Sequence, residues 1–180
     1  MKGIINKGIK DFIEYQFGSE NWNRVRLQAQ CPSILFSVAE DYPDKLTEDL
    51  FVAAVIILNR PVDDLMSDFG KFWVSNTGRR AYPTLFEIAG RNSRSFLKNM
   101  DKIHRIATRN IPNAHPPELK CTDLQNGNLL MHYKSPRKLC SVLRGLIQGV
   151  GVYFQEELTV IKHSCMIQGD DECRMEIKFP

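Results

Sequence analysis

Apolar residues at Ile5, Ile9, Phe12, Ile13 and Phe17 recur three or four apart, the spacing that lines one face of a helix. Gly18 follows where a left-handed C-cap ends such a helix. The run from Leu50 to Leu58 is apolar nearly all round, and Thr47, Glu48 and Asp49 precede it. This predicts a deeply buried helix over about 47–58. Pro61 restarts a helix with Asp63 and Asp64 in its first turn and Leu65, Phe69, Phe72 and Trp73 on one face. A short piece around 85–88 comes next. Ser93 then caps a long helix reaching to about Asn110, where Ile111-Pro112 stops it.

The second half changes character. Pro116-Pro117 punctuates the chain, and two short extended runs flank Asn126-Gly127, the dipeptide of a type I′ hairpin. A long helix carries Leu139, Val142, Leu143, Leu146, Ile147, Val150 and Phe154. The runs 158–167 and 173–179 read as strands joined by a turn over 168–172. The order predicts an α+β protein in which a helical N-terminal lobe precedes a hairpin, a helix and a second hairpin. No internal repeat or low-complexity segment interrupts it.

Composition narrows the class. The 180 residues can bury a core of their own, and the 43% hydrophobic and 25% charged fractions are those of a globular protein. No apolar run approaches the ~20 residues of a membrane span. The N-terminus has neither an apolar signal core nor a cleavage site, so the chain is expected in the cytoplasm. The net charge of +3 is mild, and arginines 79, 80, 91, 94, 105 and 109 are interleaved with acids and apolar residues, unlike a nucleic-acid footprint. Five cysteines leave one over from any full pairing, which points to buried thiols or metal ligation rather than a disulfide framework. Nothing resembles a Walker loop, a nucleophile elbow or a cyclase catalytic segment, so no enzyme activity is expected.

Two patterns carry candidate chemistry. His104 lies on the stripe of Leu97, Met100, Ile103 and Ala107, so an imidazole is pointed at the core. By itself it is either a buried neutral histidine or an axial ligand to a haem iron. Downstream, the period of two in Leu129–Arg137 sets Tyr133, Ser135 and Arg137 on one side of an extended segment. Two hydroxyls and a guanidinium suit a pair of carboxylates, although a polar strand end has the same look.

Taken together these residues resemble the H-NOX family, the haem nitric oxide/oxygen binding domains related to the haem domain of soluble guanylate cyclase. The resemblance runs the whole chain: the opening Met1-Lys2-Gly3-Ile4-Ile5-Asn6-Lys7, His104 at the place of the proximal histidine, Pro116-Pro117 after it, and Tyr133-x-Ser135-x-Arg137 as the family's Tyr-x-Ser-x-Arg motif. It implies one sensor domain over 1–180, with haem b between a distal helical lobe of about 1–62 and a proximal lobe of about 63–180 carrying an antiparallel sheet. His104 is then the axial ligand, and Tyr133, Ser135 and Arg137 hold the propionates. Pro117 presses on the porphyrin, and Ile5, Trp73, Val142 and Leu146 line the pocket. The expected function is nitric oxide sensing, with carbon monoxide also bound. Nitric oxide weakens the iron–His104 bond, and the signal passes to a separate partner, a histidine kinase or a cyclic-dinucleotide enzyme. Family members that hold oxygen carry a distal tyrosine where this chain has Val142, which implies that oxygen is excluded. The Trp73 indole N–H is the one alternative donor.

A second reading is a zinc or thiol redox switch built on Cys140, Cys165 and Cys173, with His163 as a fourth ligand. A turn near Gly169 sets Cys165 opposite Cys173, and the strand period puts His163 on the face of Cys165. Three sulfurs and an imidazole make a tetrahedral zinc set. Zinc-carrying H-NOX relatives place their histidine one position earlier, where this chain has Lys162. Cys31 and Cys121 read as buried thiols, and His115 and His132 as ordinary loop and strand residues.

Overall fold

The computed structural model describes residues 1–32, 35–38, 40–109 and 115–180. It is a helical protein with one antiparallel four-stranded sheet, in agreement with the expected α+β class. The chain forms two compact units, Met1–Phe69 and Gly70–Pro180. No described helix is long and apolar enough to cross a membrane.

The first unit holds α1 (Gly3–Phe17), α2 (Ser19–Gln28), α3 (Asp44–Leu58) and the start of α4 (Val62–Phe72). Gly18 ends α1 at φ +86°, a conformation that glycine reaches without steric cost. Sequence periodicity missed α2, which buries only Trp22 and Val25 and so has no stripe to read. Helix α3 starts three residues before Thr47, where the Met1 amino group pairs with Asp44 at 2.5 Å. Thr47 lies inside the helix and donates a buried hydrogen bond of 2.6 Å to Asn6 Oδ1. The expectation that α3 is buried all round is corrected: Val52 and Ile56 are each 58% exposed, while Leu50, Phe51, Ala53 and Ala54 turn inward. Phe69 closes this core edge-on to Phe12 and Phe51, with ring centroids at 6.0 and 5.4 Å.

In the second unit α4 runs into a π turn, Trp73–Gly78, then α5 (Arg79–Ala81), α6 (Pro83–Ala89), α7 (Ser93–Lys98) and α8 (Met100–Thr108). The single helix expected from Ser93 to Asn110 is therefore two. The cap is Asn92, whose side chain accepts the Ser95 N–H at 2.8 Å, and the break falls at Asn99, whose amide donates to the Ala89 carbonyl at 2.8 Å. Ser93 is the first helical residue instead, buried and bonded to the Glu156 carboxylate. The expected stop at Ile111-Pro112 lies outside the described residues.

Strands β1 (Glu118–Asp123), β2 (Leu129–Lys134), β3 (Thr159–Ser164) and β4 (Cys173–Lys178) lie in the order β1-β2-β4-β3. Helix α9 (Cys140–Phe154) connects β2 to β3. Leu129, Met131 and Tyr133 of β2 stand opposite Ile177, Met175 and Cys173 of β4, all buried. This face packs in one core with Leu143, Ile147 and Val150 of α9 and with Phe96 and Leu97 of α7. The first hairpin is not the two-residue type I′ turn expected from Asn126-Gly127. It is a five-residue loop in which Gly127 alone has positive φ and its N–H reaches the Leu124 carbonyl at 3.0 Å.

Two glycines let α9 approach the chain around the π turn backbone to backbone. A Cβ on Gly70 would fall 2.3 Å from the Val142 carbonyl oxygen, and one on Gly149 would fall 3.0 Å from the Val74 Cβ.

Candidate haem and thiol sites

Helix α8 is short and amphipathic. Its Met100 and Ile103 pack against the second unit's core, Asn99 fixes its start to the end of α6, and Arg105 pairs with Asp101 on its outer side at 2.8 Å. His104 follows Ile103, and its own carbonyl accepts from the Thr108 hydroxyl at 2.7 Å. The imidazole Nδ1 is enclosed and, among the described residues, has no hydrogen-bond partner. Burial pushes the pKa of the ring below the ordinary histidine value, against the opposing pull of the Met100 carbonyl and the Asp101 carboxylate. The ring is thus held neutral, the form in which a histidine nitrogen binds a metal. An orphaned polar atom inside a protein has a cost, and such a group calls for an explanation. The neutral, half-buried ring is also the form that can serve as an axial ligand to a haem iron.

Tyr133, Ser135 and Arg137 gather by a route other than plain strand alternation. Strand β2 stops at Lys134, and a turn closed by the Lys138 N–H on the Ser135 carbonyl at 3.1 Å folds the segment back. The buried Tyr133 oxygen accepts the Leu139 N–H at 3.1 Å, and Ser135 lies within hydrogen-bonding reach of it. Burial raises the Tyr133 pKa above its ordinary value, so the phenol keeps its proton. Ser135 Oγ accepts the Arg137 N–H at 3.3 Å. With the acceptor side of the phenol engaged, its O–H is left to donate, the polarity a carboxylate ligand requires. Arg137 Nη1 donates to the His115 carbonyl at 3.0 Å, which ties the start of the 115–117 segment, and with it Pro117, to the turn. This role of His115 was invisible in the sequence because it uses the main chain.

Of the remaining candidate pocket residues, Val142 is buried on α9 and Leu146 is half-buried one turn on. Trp73 is half-buried at the head of the π turn, and both Trp73 and Leu146 pack on the core that Met100 and Ile103 also flank. Pro117 is half-buried just before β1. Ile5 is half-buried on α1 in the first unit.

Cys140, Cys165 and Cys173 are all buried, and their sulfurs lie within 4.8 Å of one another. The Met166 N–H points at the Cys173 sulfur at 3.2 Å, and Asp170 holds the Cys165 N–H at 2.7 Å. Burial, then the adjoining Cys173 and Cys165, push the Cys140 thiol well up. At Cys165 burial acts the same way, but the Ile167 N–H, the Cys140 thiol and Lys162 outweigh it and hold the thiol below its ordinary value. His163 stands apart from the sulfurs. A bulge between Lys162 and Ser164 breaks the strand period, so His163 is 47% exposed while Cys165 is buried, and its Nε2 lies 2.9 Å from Glu176. Cys31 is buried, and Cys121 is half-buried with its thiol pushed up to about 11 by desolvation, against Lys98.

The profile of the haem-NO-binding family matches residues 2–162. Among curated proteins the chain is 24% identical over 162 residues to the soluble guanylate cyclase gcy-31 of Caenorhabditis elegans, a match that takes in 89% of this chain and 23% of the cyclase. The chain thus spans under a quarter of that relative's length. Among solved structures it superposes on an H-NOX protein from S. oneidensis in the Fe(II)NO state with a TM-score of 0.91, at 23% identity over 100% of this chain and 99% of the other. An H-NOX domain from Shewanella oneidensis in the Fe(II)CO state gives 0.88 at 24% identity, covering 100% and 99%. The fold is theirs, and the family match covers most of the sequence. The chain belongs to the haem-NO-binding, or H-NOX, family, whose members are haem-based gas-sensing domains and not catalysts in themselves.

Proposed function

We propose that this chain is a nitric oxide sensor that holds haem b through His104. The observation that carries the reading is the His104 imidazole, half-buried and held neutral by desolvation, beside Met100 and Ile103 at the flank of the second unit's core. Haem, when bound, supplies an iron that takes up a diatomic gas. The protein supplies the rest. Tyr133, Ser135 and Arg137 orient the propionates, Pro117 packs on the macrocycle, and Ile5, Trp73, Val142 and Leu146 wall the pocket. Val142 offers no hydrogen-bond donor, which favours nitric oxide and carbon monoxide over oxygen. The distal lobe is about 1–62 and the proximal lobe about 63–180. Output runs through displacement of α8 to a separate cytoplasmic partner, a histidine kinase or a cyclic-dinucleotide enzyme. Haem stoichiometry by pyridine haemochrome tests the cofactor: about one haem per chain is expected for one axial histidine, and none would defeat the reading.

A second reading rests only on the three clustered sulfurs: a Zn2+ or thiol redox element on Cys140, Cys165 and Cys173 that would coexist with the haem. Of the three, Cys165 has its thiol pKa lowered and Cys140 has its raised.

A further inference from the structure

A π turn is a rare widening of a helix and is found disproportionately at functional sites. The turn Trp73–Gly78 widens the chain just where a tryptophan has to be placed. A Cβ on Gly78 would lie 2.8 Å from the Trp73 Nε1, 3.1 Å from its Cδ1 and 3.1 Å from its carbonyl oxygen. The indole is therefore folded back along its own turn, with its pyrrole edge against the Gly78 Cα. Gly78 has ordinary helical angles, φ −65° and ψ −46°, so its backbone has no need of glycine. The need comes from the ring, since any side chain at 78 enters the space the indole occupies. The turn is braced from the other side, where Gly149 of α9 abuts Val74 and Lys71.

We propose that Gly78 is the positioning residue for Trp73, and through it a determinant of which gas the haem site accepts. Seating the pyrrole edge in the π turn directs the indole N–H toward the turn's backbone. Trp73 then acts on the gas side as an apolar wall and not as a donor. The proposal rests on Trp73 lining the haem pocket, as put forward above.

The test uses the whole haem-loaded chain and two readouts. One is the infrared C–O stretch of the ferrous carbonyl complex, which responds to a nearby donor. The other is the emission of Trp73 as the lone tryptophan in a W22F background, with and without haem. W73F is expected to leave the stretch in place, because no N–H is lost from the gas side. G78A is expected to shift both the stretch and the Trp73 emission, and adding G78A to W73A, where the ring that would clash is gone, should move the stretch little further. A stretch that moves in W73F as for a lost donor would overturn the proposal. So would a G78A protein with unchanged stretch and emission. If carbon monoxide binds through His104 but G78A is silent, the proposal fails while the haem reading stands; a chain that takes up no haem defeats both. Should G78A not fold, W73A/G78A is expected to recover the fold, and failure of both would count against the ring as the reason for glycine.

Discussion

The Nε2 of His163 lies 2.9 Å from Oε2 of Glu176, across the bulge that ends the regular pairing of β3 with β4. Asn128 and Asn126 from the first hairpin bond the other carboxylate oxygen. One side chain thus joins both hairpins. Asn128, then His163 and Asn126, hold the Glu176 pKa down to about 2, from 4.5 for a free glutamate. A depressed carboxylate contributes stability above its unfolded pKa and loses it as pH falls toward the folded one. Stability should therefore decline between about pH 4.5 and 2, and Glu176→Gln should flatten that part of the curve. Denaturant unfolding followed across that range checks it, and an equally steep decline in the variant would remove Glu176 from the account.

The same contact bears on the thiol cluster. With its imidazole committed to Glu176 and half exposed, His163 is expected to be dispensable for any bound zinc. Metal analysis of protein purified without chelator should show zinc retained in His163→Ala and lost in Cys173→Ser. Freely reactive thiols with no metal in the unmodified protein would leave three reduced buried cysteines.

Removing the hydroxyls and the guanidinium together, as Tyr133→Phe, Ser135→Ala and Arg137→Ala, should weaken haem retention while leaving His104 in place. Charge-assisted hydrogen bonds contribute about 1.5 to 3 kcal/mol each, so the rate of haem loss to apo-myoglobin should rise at least about tenfold. Tyr133→Phe is chosen over alanine because the ring fills the core opposite Cys173. An unchanged transfer rate would deny the motif its propionate role.

Gly70→Ala tests the crossing of helices. A methyl there meets the main chain of α9, the Val142 carbonyl at 2.3 Å and the Leu146 N at 2.7 Å, and backbone cannot step aside as a side chain can. Overpacking of this kind costs about 1 to 3 kcal/mol, against the few tenths to 1 kcal/mol gained by glycine to alanine in an open helix. Thermal unfolding should show a lower Tm, and an unchanged or raised Tm would mean that the helices separate freely.

Much of this was legible in the sequence. Helices α1, α3 and α9 announce themselves because each buries a continuous stripe, and the sheet follows from runs of period two. What escaped reading has physical causes. Helix α2 buries two side chains and so leaves no stripe. The break at Asn99 comes with a side-chain bond to Ala89, ten residues away, and nothing in the apolar pattern marks the π turn, where the Trp73 ring lies close to Gly78. A bulge of one residue reversed the face of His163, since strand parity has no tolerance for an insertion. Around the candidate site, residue types were readable, but the turn that folds Ser135 and Arg137 back and the His115 carbonyl that receives Arg137 are matters of main-chain geometry.

The most direct test of the haem reading is the electronic absorption spectrum of the ferrous protein, unmodified and as His104→Ala, recorded under argon, with nitric oxide and in air. The unmodified protein should carry haem, change its spectrum with nitric oxide and show no stable oxygen complex in air. His104→Ala should lose the ferrous ligation seen under argon. A ferrous spectrum that is the same with and without the His104 imidazole would contradict the assignment, and a stable oxygen complex in the unmodified protein would contradict its selectivity for nitric oxide.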